Sequence, residues 1–301
     1  MDAYTIFFKE QCNLILNKIV ETIYDKLEAF QYIPLAPAEG EGLESLSWRS
    51  FTAVGMAKII SDYANDIPSV EVYGKENTSK VYHVATSYGW DKFEVERAQR
   101  ANRRLVDNKS NAARLAIETK VDQLAWVGDA AYNIEGFTNY TGISSCTLKN
   151  NEAGTSKKWA DKTPEEIATD INDLVNTVLT TTSNKEQPDT IIMPPSYMRV
   201  LTTSFVDTNK TMSVFDFVKK CNPMIQNWGA VQALATAGYG GKGRIMCYTK
   251  SADKLEYHLP VPVRQEEPER DGLRYSVILT ADVGGVTIYY PQSVAYADGA
   301  D

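Results

Sequence analysis

Histidine is nearly missing from this chain of 301 residues: only His83 and His258 are present. Acid–base chemistry and metal binding through imidazole therefore have little to draw on. Cysteine is scarce too. Cys12, Cys146, Cys221 and Cys247 are scattered, with no CxxC pair. That argues for a reducing compartment and against a zinc site or a disulfide frame. No apolar run reaches the roughly 18 residues of a membrane span. The opening stretch MDAYTIFFKEQCNLIL brings acids early and no small-residue cleavage site, so it does not read as a signal peptide. Positive charge is in deficit: 31 Lys and Arg against 39 Asp and Glu give a net charge of -8. A dedicated nucleic-acid binder is usually basic. No internal repeat or low-complexity segment is evident.

What is present is material for a packed core. The hydrophobic fraction of 43% and charged fraction of 23% are those of a soluble globular protein. The length suits one large domain or two ordinary ones.

Phe8, Cys12, Ile15, Ile19, Ile23, Leu27 and Phe30 recur at steps of three and four. This is a helical apolar stripe. It ends at YIPLAP, where Pro34 and Pro37 forbid continuation. An acidic linker, AEGEGLES, follows. Such an arm must dock on its own domain or on a neighbour, and both readings stand.

SVEVYG and KVYHVATS are β-rich runs on either side of KENT. They predict a hairpin whose exposed, charged tip is Lys75, Glu76, Asn77 and Thr78. A ribbon of this kind is marginal alone in water. It is covered by its own body or laid over another subunit.

The segment DNKSNAARLAIETKVDQLAWVGD opens on an Asp/Asn/Ser cap cluster and places Ala113, Ile117, Val121 and Leu124 on one face. It predicts a long helix stopping at Gly128. TPEE, residues 163–166, is a capping signal with proline at the first helical position. Ile167, Ile171, Leu174, Val175 and Val178 follow in helical register. QPDTIIMPPS predicts a short buried strand and then a helix opening at Pro195 or Ser196. SVFDFVKKC predicts a further helix. RIMCYTK, KLEYHLPVPV and the tail LRYSVILTADVGGVTIYYPQSVAYADG read as strands, with a turn at Gly284 and Gly285.

Four features could carry chemistry. AGYGGKGR, residues 237–244, groups glycines around Lys242. A phosphate-binding loop needs Ser or Thr after the lysine and a helix behind it. Here Gly243 follows and the next run reads as a strand, so a glycine-rich turn is the better account. His83 and His258 have no nearby nucleophile–base arrangement. Arg97, Arg100, Arg103 and Arg104, with Lys109 and Arg114, form a basic cluster. It reads either as contact with a polyanion or acidic neighbour, or as a solvated face interleaved with Glu94, Glu96 and Glu118. Glu266, Glu267, Glu269 and Asp271 surround Pro268 without the ligand spacing of a calcium loop. The residues therefore assign no catalytic site, metal or cofactor. The chain is mixed α and β, with parts suited to contacts between copies of itself.

AKIISDYANDIPSVEV, AARLAIETKVDQLAWVGD, TPEEIATDIN, PDTIIMPPSYM and above all GGVTIYYPQSVAYADG resemble one family. It is that of tailed-bacteriophage major capsid proteins with the Hong Kong 97-type fold, to which encapsulins are related. The similarity runs over residues 48–299. The closing motif and the PDTIIMPP strand are its more specific parts. Two departures touch loops only: Asn102 stands in RANRRL where a glycine is expected, and FTNYTGI is longer than in relatives.

The resemblance implies an α+β fold in five parts. These are an N-terminal arm (1–47), an extended loop (48–88), a peripheral domain with a long spine helix (89–185), an axial domain (186–276), and return strands of the peripheral domain (277–301). It implies assembly contacts at the loop tip (Lys75, Glu76, Asn77, Thr78), at the axial turn (Gly238, Tyr239, Gly240, Gly241, Lys242) and along the arm (Phe8, Ile15, Ile19, Ile23). It implies a non-enzymatic coat protein forming pentamers and hexamers of an icosahedral head around double-stranded DNA, without sequence-specific DNA binding and without a membrane. A separate scaffold protein and a portal are expected partners, and a decoration protein is a further one. Assembly is expected in the host bacterial cytoplasm, with the virion as destination. The alternative within the fold is an encapsulin-like nanocompartment shell. The alternative outside it is an enzyme using the glycine loop.

Overall fold

The computed structural model describes residues 27–37, 39–59, 67–100, 105–206 and 210–300. The arm stripe Phe8, Ile15, Ile19 and Ile23, and with it Arg103 and Arg104, lies outside them.

The described chain starts with a single helical turn, α1 (Ala29–Tyr32), stopped as expected before Pro34. A long antiparallel ribbon follows: β1 (Ser45–Val54) and β2 (Glu71–Lys80), in register from Ser45–Lys80 to Val54–Glu71. After Val81 alone the chain continues as β3 (Tyr82–Asp91), then α2 (Lys92–Arg100) and the long α3 (Leu105–Trp126). At about 1.5 Å per residue, the 22 residues of α3 span about 33 Å. The helix starts earlier than its cap-forming residues predict. Asp107, Asn108 and Ser110 fall inside its first turns, because the apolar face it must bury outweighs their local preference for a cap.

The stop after α3 is steric. Gly128 has φ +71°, and a Cβ there would lie 2.1 Å from the Ile134 carbonyl oxygen. That close approach joins the short pair β4 (Gly128–Asp129) and β5 (Ile134–Glu135). The chain continues through β6 (Ser144–Cys146), α4 (Pro164–Thr181), β7 (Thr190–Met193), α5 (Pro195–Thr203), α6 (Val214–Cys221) and β8 (Asn227–Ala230). It ends in β9 (Arg244–Tyr248), β10 (Leu255–His258), β11 (Val261–Gln265), β12 (Glu269–Asp271), β13 (Arg274–Val283), β14 (Gly285–Ile288) and β15 (Val294–Asp298).

The capping box at Thr163 is complete. The Glu166 amide donates to Thr163 Oγ1 at 3.4 Å, and the Thr163 amide donates to the Glu166 carboxylate at 2.7 Å.

Two sheets organise the body. In one, β13 pairs β3 over ten residues on one edge and β11 and β12 on the other. Helix α3 lies against β3 and β13. The other sheet has the order β6-β15-β9-β7-β8 and mixes parallel and antiparallel pairs. Its strands TIIM, RIMCY and VAYAD are continuous apolar runs because both faces are covered. Ile192, Met246, Tyr248, Val294 and Tyr296 point into a core shared with Ala113, Ile117, Val121 and Leu124 of α3. Their sequence neighbours Ile191, Met193, Ile245, Cys247, Ala295 and Ala297 point into a second core. That core is closed by α4 through the predicted stripe Ile167, Ile171, Leu174, Val175 and Val178, together with α5 and α6.

The stripe of α4 closes the core that also holds α5 and α6, and β15 forms part of the wall between the two cores.

Lys162 and Asp170 form an ion pair with side chains 1% and 2% exposed. Trp159 Nε1 donates to the same carboxylate at 3.0 Å. Removing one member of such a pair leaves an uncompensated buried charge. Lys162→Met is expected to lower the unfolding free energy of the subunit by about 3 kcal/mol or more, read from denaturant midpoints. A Lys162→Met, Asp170→Leu double variant should recover part of the loss. Cys247 supplies a second check. Burial, with Asp189 nearby, pushes its thiol well above its ordinary value. It therefore stays a protonated, unreactive thiol at pH 8. A thiol reagent should label exposed Cys221 in the native subunit, and Cys247 only at the rate of unfolding.

Candidate assembly interface

The ribbon has a root and a free part. At the root, Leu46 and Trp48 of β1 and Asn77 and Ser79 of β2 are half-buried against the body. Ser79 Oγ donates to the Gly284 carbonyl at 2.9 Å. Trp48 packs edge-on against Tyr289, with ring centroids 6.1 Å apart. Beyond the root, both faces of the ribbon are open to solvent. Phe51 is 70% exposed, Met56 84% and Ile59 fully, with Val54, Ile67, Val70, Val72 and Tyr73 also exposed. Contiguous apolar surface of this kind marks an interaction site.

This geometry corrects the placement of the tip. Lys75, Glu76, Asn77 and Thr78 are not a turn. They lie in the middle of β2, facing Ser50, Arg49, Trp48 and Ser47 of β1. The last register pair of the ribbon is Val54 with Glu71. Past it the two segments stay close, since a Cβ on Gly55 would come within 2.8 Å of Val70 Cγ2. Four polar residues in a row resemble a turn, but a strand that lies mostly in solvent tolerates them at little desolvation cost. The sequence reading missed Phe51, Met56, Val72 and Tyr73 as a surface. Their only signal is apolar character without helical or alternating period.

The glycine turn is a rigid structure. Gly240 and Gly241 have φ +73° and +74° with open space around them, so the backbone itself demands glycine there. The Gly238 amide donates to the Lys242 carbonyl at 2.7 Å. The Tyr239 amide donates to Asp298 Oδ2 at 3.1 Å. Asp298 is held in turn by Arg244, through Nε at 2.7 Å and Nη2 at 2.6 Å. A carboxylate of the protein thus occupies the place an anion would need, and a strand, β9, follows the turn. A phosphate-binding role is excluded on these grounds. Tyr239 projects at the tip, 89% exposed.

The basic cluster divides. Lys109 pairs with Glu94 at 2.8 Å and Arg114 with Glu118 at 2.7 Å. Arg97 Nε donates to the Phe93 carbonyl at 3.1 Å, and Arg97 and Arg100 are exposed. Among the described residues the cluster is interleaved with acids and largely exposed. The histidines tie segments together. His83 belongs to β3 in the body sheet, not to the ribbon, and meets Asp282 at 2.5 Å. His258 of β10 meets Glu39 at 3.0 Å, and Arg264 pairs with Glu41. The acidic linker is thereby strapped to the body. Among the described residues no group of three or more His, Cys, Asp or Glu is placed to hold a metal ion. Among them, too, no helix is long and apolar enough to cross a membrane.

Comparison with known proteins fits a subunit with an uncovered ribbon. A search of curated proteins finds no match. Solved structures share the fold across nearly the whole chain. The capsid of Myoviridae phage XM1 superposes with TM-score 0.84 at 17% identity, over 96% of this chain and 97% of that one. Mycobacterium phage Bobi gives 0.63 at 14% identity, over 95% of each chain. A virus-like particle from Pyrococcus furiosus gives 0.53 at 14% identity, over 89% of this chain and 91% of that one. A family model described as major capsid protein matches residues 55–300. The chain belongs to the major capsid protein family of tailed bacteriophages: it is a structural, self-assembling shell protein of the virion.

Proposed function

We propose that this protein closes into pentamers and hexamers by head-to-tail contacts. These tile an icosahedral head around packaged double-stranded DNA. The observation that carries the reading is the ribbon, whose apolar side chains have no cover within the subunit. Laid over the adjacent copy, Phe51, Met56, Val72 and Tyr73 lose their contact with water. Burial of that kind contributes roughly 25 cal/mol per Å² of apolar surface. The exposed residues Lys75, Glu76 and Thr78 of β2 and the arm stripe Phe8, Ile15, Ile19 and Ile23 add contacts. The turn with Tyr239 is assigned to the axial region, where copies meet around a ring axis. Its rigidity supports this role, since an aromatic on a preorganised turn loses little entropy on binding.

In this reading residues 1–47 are the arm, 48–88 the extended loop, 89–185 the peripheral domain, 186–276 the axial domain and 277–301 the return strands of the peripheral domain. A scaffold protein, a portal and a decoration protein are the remaining partners, and assembly takes place in the host cytoplasm. The net charge of -8 supports enclosure of DNA without tight grip, because strong binding needs neutralisation of many phosphates by Lys and Arg. A compartment shell with protein cargo is the weaker reading, because the family model that matches is described as major capsid protein.

The test is a double charge insertion on the ribbon. Phe51→Asp with Val72→Asp should leave subunit stability within about 0.5 kcal/mol, since both positions are surface sites. It should abolish shells in negative-stain microscopy and leave small species in sedimentation. Shells at normal yield from this variant would refute the role of the ribbon. Free subunits are also expected to bind duplex DNA only weakly. Submicromolar, salt-sensitive affinity would contradict the loose-lining reading.

A further inference from the structure

The ribbon has two faces, and they differ in chemistry. Side chains alternate along a strand, and residues paired across a ladder share a face. One face carries Leu46, Trp48, Ser50 and Thr52 of β1 with Ser79, Asn77, Lys75 and Tyr73 of β2. The other carries Ser47, Arg49, Phe51 and Ala53 with Thr78, Glu76, Gly74 and Val72.

The first face is the one the subunit itself uses. Every half-buried residue of the root, Leu46, Trp48, Asn77 and Ser79, belongs to it. The contacts with Gly284 and Tyr289 are made from it. Further out it turns polar. Ser50 stands opposite Lys75, and the Tyr73 hydroxyl donates to the Glu71 carboxylate at 2.5 Å.

The second face runs the other way. It is polar beside the root, where the hydroxyls of Ser47 and Thr78 share a hydrogen bond at 3.1 Å and Arg49 stands opposite Glu76. Beyond that row Phe51, Ala53 and Val72 follow with no charged residue among them. The strip continues past the last pair, since the Cβ that Gly55 lacks would point at Val70 Cγ2. Phe51, Val70 and Val72 are 70%, 64% and 62% exposed.

Gly74 in the middle of this strip has no conformational reason to be glycine, because its φ is not positive. Glycine inside a strand weakens it, and a two-stranded ribbon is marginal already. A Cβ on Gly74 would stand 3.3 Å from Phe51 Cε1, so the ring reaches across the glycine and keeps the strip low. Mid-strand glycine often marks a place where another backbone comes close.

We propose that Phe51, Ala53, Val72 and Gly74 form the core of a one-sided contact whose occupant is an uncharged apolar surface of a second copy. This inference rests on the assembly reading and narrows it to one face. The body of the same subunit is not the occupant, because it is engaged by the opposite face. A second copy fits, because the chain belongs to a family of self-assembling shell proteins. The two engagements use different faces, so a neighbour is bound without opening the root. Tyr73 and Lys75 lie at the rim of the contact, where burial is partial.

Photo-crosslinking from the two faces tests this. p-Benzoylphenylalanine is placed at Phe51 or at Thr52, which are sequence neighbours on opposite faces. Irradiated shells are expected to give a covalent dimer of the chain from position 51 in several-fold higher yield than from position 52. Equal yields, or a higher yield from position 52, overturn the proposal. So does a product from position 51 that maps within one chain or to a different protein. Two variants separate the proposal from the assembly reading. Thr52→Asp should leave shells at normal yield in negative-stain microscopy, and their loss would count against a one-sided contact. Gly74→Val should lower shell yield several-fold with no fall in the unfolding midpoint, because valine favours the strand but stands in the strip. Normal shells from Gly74→Val overturn the proposal and leave the assembly reading intact. If the wild type forms no shells, the assembly reading fails, and the same two cross-linking positions in concentrated subunits still decide the face.

Discussion

Successive residues of β7, β9 and β15 belong to different cores, and the rest of the molecule is arranged around that alternation. Ile192, Met246 and Tyr296 face α3, while Ile191, Ile245 and Ala297 face α4, α5 and α6. Side chains on a strand alternate with period two, so a slip of one residue would exchange every occupant of the two cores. The exchange cannot be accommodated. The α3 side takes large rings such as Tyr248 and Tyr296, whereas the α4 side receives small residues such as Ala295, Ala297 and Cys247. Packing of this density fixes register. It also fixes the glycine turn, because Asp298 at the end of β15 and Arg244 at the start of β9 are register partners. The position of Tyr239 is a consequence of core packing some distance below it.

The same alternation decides what could be read from the residues. Where an element buries one stripe, its period gives it away, as Ala113, Ile117, Val121 and Leu124 do on α3 and Ile167, Ile171 and Leu174 do on α4. Caps with their own chemistry are also legible: Thr163 with Glu166, and Ser213, whose hydroxyl accepts from the Asp216 amide. TIIM and RIMCY are recognisable as doubly covered strands. Which core each residue enters is not legible. That depends on which helix lies on which face, and nothing local encodes it.

The ribbon misleads for the opposite reason. Sequence patterns report burial, not strandness as such. VYGKENTSK has no apolar alternation because the free part of β2 has no buried face in the subunit. Its strand geometry comes from ladder hydrogen bonds with β1, and those bonds are indifferent to side-chain type. On the proposed assembly, the contacts that would explain its composition belong to another copy. An assembly surface is in this sense the part of a sequence least readable from one chain.

Continuity between ribbon and body has a mechanical consequence. Only Val81 separates β2 from β3, so residues 71–91 form one extended run. At about 3.3 Å per residue, that run is roughly 70 Å long. Its first half pairs with β1, its second with β13 over ten consecutive partners. A neighbour that pulls on the ribbon loads the β3–β13 ladder along its strands. All the ladder bonds then share the load, whereas a perpendicular pull would open them one at a time. Ser79 and Gly284, Leu46 beside Gly284, and Trp48 on Tyr289 hold the crossover where the partner changes. Few contacts set the angle of the ribbon, while a long ladder carries its load. That division would let the angle of the ribbon change while the ladder that carries its load stays intact.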